Sequence, residues 1–69
     1  MNHPKPTHLQ SLVLTEVSCA PINLTLSEVG TRIAKRTSHA RYAVERAALE
    51  LVEQGRLVEH GPYLLSPNN

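Results

Sequence analysis

Leu9, Leu12, Val13 and Val17 recur at helical spacing, with Thr7 ahead of them as a residue type that accepts from the free amides of a helix start. The pattern predicts a first helix from Thr7 to about Ser18, with Leu14 off the apolar stripe. Pro21 forbids continuation, and Ile22-Asn23-Leu24 reads as a short extended link. Thr25-Leu26-Ser27-Glu28 then fits the capping box, in which hydroxyl and carboxylate each accept from the other residue's backbone N–H. A second helix is expected from about Leu26, burying Leu26, Val29, Ile33 and Ala34. Gly30 inside it costs about 1 kcal/mol relative to Ala, a cost explained by a neighbouring helix crossing close to it.

Lys35-Arg36-Thr37 is a short polar turn, and Thr37 or Ser38 is expected to cap a third helix from about Ser38 to Gln54, stopped by Gly55. At about 100° per residue, Ala40, Ala43, Val44, Ala47, Ala48 and Leu51 gather on its inner side. Tyr42 and Leu49, seven apart, point the other way with Glu45, Arg46 and Glu53. After Gly55 the period becomes extended: Arg56 to Glu59, a turn at His60-Gly61-Pro62, and Tyr63 to Ser66 read as strand, turn, strand. Residues 1–6 hold two prolines and no apolar pattern and are expected to be a disordered lead, residues 7–66 the folded domain, and 67–69 a tail.

With 69 residues there is room for one small domain with a marginal core. Tyr42 and Tyr63 are its only aromatics, so Leu, Val, Ile and Ala must build that core, which suits packed helices. The fold class expected is mostly α (α+β). Cys19, alone, cannot form an internal disulfide and is expected to be a small buried apolar residue. The lack of a disulfide framework suits a reducing cytoplasm, and no apolar run reaches the roughly 20 residues that span a bilayer.

Net charge is only +1 but unevenly spread. Residues 31–46 carry Arg32, Lys35, Arg36, Arg41 and Arg46 against Glu45, a net of +4, whereas the segments on either side are acidic. Ion pairs Arg41–Glu45 and Arg46–Glu50 are expected from their i,i+4 spacing. His3, His8, His39 and His60 have no i,i+4 pair on one helix, so no metal is expected. No nucleophile–base constellation or phosphate-binding Gly loop occurs, so an enzyme is the least favoured class, with no cofactor or small-molecule substrate expected.

Three helices followed by a hairpin is the order of a winged helix-turn-helix domain. VERAALELVEQGRLVE resembles the end of a recognition helix running into a first wing strand. TLSEVGTRIAKRTSHARYAVE is similar to the core of small fimbrial-operon regulators, in which a Glu-apolar pair opens helix two and an Ala-Arg-Tyr triplet lies in helix three. The general winged-helix resemblance covers residues 7–66 and implies a small, cytoplasmic, nucleoid-associated transcriptional regulator of bacterial or phage type. Its third helix would enter the major groove of double-stranded DNA.

On that reading Arg36, Thr37, Ser38, His39, Arg41 and Tyr42 occupy the groove-facing start of the helix, with Arg46 one turn beyond Tyr42. Arg32, Lys35 and Arg36 would hold the phosphate backbone, and the Thr37 and Ser38 amides would form a phosphate site. Tyr42 is either a recognition side chain or a lid over helix two. The wing turn, Glu59-His60-Gly61-Pro62, carries no Lys or Arg. About five phosphate contacts make a weak, salt-dependent monomer, so useful affinity calls for a homodimer, cooperative neighbours or a protein partner. The alternative is a winged-helix interaction module, an adaptor or dimerising subunit without direct DNA binding. Leu14 and, if it is not covered by the N-terminal segment or the hairpin, Leu49 would serve as its partner contacts.

Overall fold

The structure, a computed structural model, describes residues 5–66. Most of the expected lead and the whole expected tail therefore lie outside the described residues. Helix α1 spans His8–Cys19, strand β1 Leu24–Thr25, α2 Leu26–Arg36, α3 Arg41–Glu53, β2 Val58–His60 and β3 Tyr63–Leu65. This is the expected α+β class: three helices and a small antiparallel sheet carrying the C-terminal hairpin, an arrangement compatible with a winged helix-turn-helix. No described helix is long and apolar enough to cross a membrane.

Both N-terminal helices begin with reciprocal caps. Thr25 Oγ1 accepts from Glu28 N–H (3.2 Å) while Glu28 Oε1 accepts from Thr25 N–H (2.9 Å). A second capping box joins Thr7 and Gln10, with both bonds at 3.1 Å. Gln10 is also 94% buried, and its Nε2 donates to Glu50 Oε1 (3.0 Å), tying the start of α1 to α3. Glu50 makes that bond, and Arg46 does not pair with it as its spacing had suggested.

α2 closes differently from expectation. The Thr37 amide and hydroxyl both donate to Ile33 O (3.0 and 2.9 Å), and the hydroxyl accepts from His39 N–H (3.2 Å). Thr37 thus ends α2 rather than opening α3. The third helix begins at Arg41, three residues later than expected, behind an Ala40 N-cap that supplies no side-chain bond. Ala40 is accordingly exposed, not part of the core stripe.

At the other end of α3 the Schellman pattern forms: Gly55 N–H donates to Val52 O and Arg56 N–H to Leu51 O. Gly55 supplies the left-handed conformation (φ 78°) the motif needs. The hairpin turns at Gly61-Pro62, with positive φ at Gly61 alone (62°), which suits a two-residue turn with Gly first.

The extended link expected over Ile22-Asn23-Leu24 becomes, at its end, a third strand. β1 pairs with β3 through Leu24↔Leu64 and Thr25↔Tyr63, giving the order β1-β3-β2. Because Thr25 is also the N-cap of α2, the sheet is fastened to the start of that helix. Leu24 and Leu64 face inward beside Val13, Val29, Ile33, Val44, Ala47, Ala48, Leu51 and Leu57, all buried. Each Leu or Ile so buried contributes about 1.5–3 kcal/mol. Leu14, off the α1 stripe, is nonetheless half-buried against this core. Cys19, expected inside, is exposed at the last residue of α1, while the next residue, Ala20, packs against the core.

Candidate nucleic-acid interface

α3 divides cleanly around its axis. Val44, Ala47, Ala48 and Leu51 are buried; at about 100° per residue, the direction opposite them belongs to Tyr42, Arg46, Leu49 and Glu53. All four are exposed, Tyr42 at 75% and Leu49 at 43%. Tyr42 is therefore not a lid over α2, and neither the hairpin nor residues 5–7 cover Leu49. The N-terminal half of this outward face is aromatic and cationic; the C-terminal half is apolar and acidic.

The closeness of α2 and α3 is set at Gly30. A Cβ built there would lie 2.8 Å from Arg41 Cγ and 3.0 Å from both Cγ and Oε2 of Glu45. The expected crossing is thus confirmed, and its occupant is an ion pair: Arg41 Nε lies 3.4 Å from Glu45 Oε2. Glycine lets α3 lay this pair directly on the backbone of α2.

Arg32 and Arg36 point elsewhere. Arg32 Nη1 lies 3.5 Å from Glu16 Oε2, and Arg36 Nη2 donates to Glu16 Oε1. Glu16 belongs to α1, and its side chain is only 14% exposed beneath the two arginines. Residues 30 and 32 are separated by about 200° around α2. The side of α2 that meets α3 and the side that carries Arg32 are therefore opposite flanks, and Arg36 lies nearer the latter.

The nine residues singled out from the sequence consequently fall into groups. Arg32 and Arg36 form a triad with Glu16 on the α1 flank. Thr37 is engaged in closing α2, Ser38 is exposed in the turn, and His39 is half-buried. Arg41 pairs with Glu45; Tyr42 and Arg46 share the outward face of α3. Among the described residues Lys35 and Arg46 make no ion pair. Of the two amides expected to form a phosphate site, that of Thr37 is not open to one, since Thr37 N–H is bonded to Ile33 O. The amides without an intrahelical partner at the start of α3 are those of Arg41 and Tyr42.

Glu16 was not anticipated, although a signal existed. It stands four residues after Leu12 and three after Val13, at the edge of the apolar stripe of α1, where an acid must find a cationic partner. Among the described residues the one clearly perturbed acid is Glu28, whose carboxyl is held below its ordinary range chiefly by the Thr25 backbone N–H, then by the Thr25 side chain and by Arg32. Compared with known protein families, curated proteins and solved structures, the chain matches none.

Proposed function

We propose that the protein binds duplex DNA through the outward face of α3 and acts as a small transcriptional regulator of winged helix-turn-helix type. One observation carries this reading. Tyr42 and Arg46 stand exposed on the face of α3 opposite the core, beside a helix start that no side chain caps. A 13-residue helix is about 20 Å long and about 10–12 Å across, a diameter that fits the major groove, which is about 12 Å wide. The unpaired Arg46 has all five guanidinium donors available, enough to read O6 and N7 of a guanine. Tyr42 lies one turn nearer the N-terminus, and the free amides of Arg41 and Tyr42 favour a phosphate. Lys35 adds an unpaired cation from α2. The acidic C-terminal half, with Glu50 and Glu53, would lie away from the DNA. The likeness of TLSEVGTRIAKRTSHARYAVE to fimbrial-operon regulators supports the same class.

Titration of a labelled short duplex by fluorescence anisotropy tests the reading. Binding is expected at low salt, with a marked loss between about 50 and 200 mM. Tyr42→Ala with Arg46→Ala should weaken it about tenfold or more. Absence of binding at low salt, or indifference to that double substitution, removes the proposal.

Exposed Leu49 and Val58 (43% and 44%) favour a second reading, a protein-interaction module. A partner that survives nuclease treatment and is lost on Leu49→Asp, together with failed DNA binding, would replace the first reading with this one.

A further inference from the structure

The triad of Glu16, Arg32 and Arg36 is not absorbed by the outward face of α3. Two of the five cations in residues 31–46 are held by a carboxylate that comes from outside that segment, on a helix that would not enter the groove. Non-specific DNA binding draws on any exposed cations in any orientation, whereas specific binding needs one pose with α3 in the groove. Cations on the far flank of α2 would therefore help chiefly the wrong poses.

We propose that Glu16 is a specificity-determining residue: it neutralises Arg32 and Arg36 and so withholds the α1 flank from DNA, leaving α3 as the favoured docking face. The inference rests on the α3 reading above and concerns the poses that compete with it. Glu16 engages both guanidinium groups at once, its side chain 14% exposed beneath theirs at 42% and 60%, so a phosphate that takes either one must first break a pair already made. Glu16 acts through the arginines and need not touch DNA.

Random-sequence duplex DNA is the probe, titrated from about 50 to 200 mM salt with the wild type, Glu16→Gln, Arg32→Ala with Arg36→Ala, and all three together. Glu16→Gln should release two phosphate contacts and steepen the salt slope by about 1.8, an extra twelvefold or so over that range. Removing both arginines should change wild-type affinity less than about twofold but abolish the gain in the Glu16→Gln background. An unchanged slope in folded Glu16→Gln overturns the proposal. So does a roughly tenfold loss on removing the arginines from the wild type, an arm that does not depend on Glu16→Gln folding. If the Glu16→Gln gain holds while Tyr42→Ala with Arg46→Ala leaves wild-type binding intact, the α3 reading fails and charge withholding by Glu16 stands. If neither the wild type nor Glu16→Gln binds, both fall.

Discussion

Gly30→Ala tests the placement of α3 against α2, on which the outward presentation of Tyr42 and Arg46 depends. Two effects of opposite sign compete. Replacing a mid-helix glycine by alanine favours α2 by about 1 kcal/mol. The added methyl, however, meets Arg41 Cγ at 2.8 Å and Glu45 Cγ at 3.0 Å, atoms near the base of their side chains that cannot swing away without moving the helix or abandoning the pair. Overpacking of this kind costs about 1–3 kcal/mol. With three close contacts, a value near the middle of that range leaves a net destabilisation of about 1 kcal/mol, or about 4–8 °C in Tm for a domain this small. The sign should reverse when the obstruction is removed. In an Arg41→Ala, Glu45→Ala background the same substitution should stabilise by about 1 kcal/mol, a coupling well above the additivity error for independent sites. Thermal unfolding followed by circular dichroism reads all four proteins. Stabilisation of equal size in both backgrounds would refute the reasoning, because it would mean the two helices do not press on each other at Gly30.

The remaining predictions concern the helix ends. Gln10→Ala removes half of the α1 capping box and the bond to Glu50, and should cost about 1–2 kcal/mol in urea unfolding; Gln10→Glu, which places two carboxylates face to face, should be no better. Ala40→Ser gives α3 the cap it lacks and should stabilise by about 1 kcal/mol. Ala40→Asp should stabilise as well but weaken duplex binding, since it sets a negative charge at the start of the groove-facing helix. The carboxyl of Glu28 is lowered in the folded state from its ordinary value of 4.5, so its contribution is complete above that value and fades as pH falls through the depressed one. Glu28→Gln should therefore be less stable than the wild type near neutrality, with the difference shrinking in acid; a difference that grows below pH 4.5 would contradict the assigned cause.

Local chemistry made much of the fold legible. The Thr25–Glu28 box, the Gly55 stop and the Gly61-Pro62 turn each depend on residues within a few positions, and each forms where the spacing put it. Gln10 three residues after Thr7 satisfied the same capping rule and could have been read with it. Other features depended on partners distant in sequence. β1 is two residues long and exists only because Leu64 and Tyr63, some forty positions away, complete its ladder. Thr37 could satisfy either helix, and the free carbonyl of Ile33 settled the choice in favour of closing α2. The positive cluster was visible as a segment but not as a surface. Helical rotation separated Arg32 from the side of Gly30, and an acid sixteen to twenty residues upstream took both flank arginines. Arg46 is unpaired as well: Glu50, the partner its spacing suggested, accepts instead from Gln10, forty residues upstream.

The most direct measurement of where DNA docks is the change in backbone amide NMR signals when the isotope-labelled chain is titrated with duplex DNA. The account predicts the largest shifts from Ser38 through Leu49, with Arg41, Tyr42 and Arg46 foremost and the signals of Glu16 and Arg32 little moved. Shifts concentrated on α1 and the Arg32 flank, on the sheet, or nowhere would contradict it.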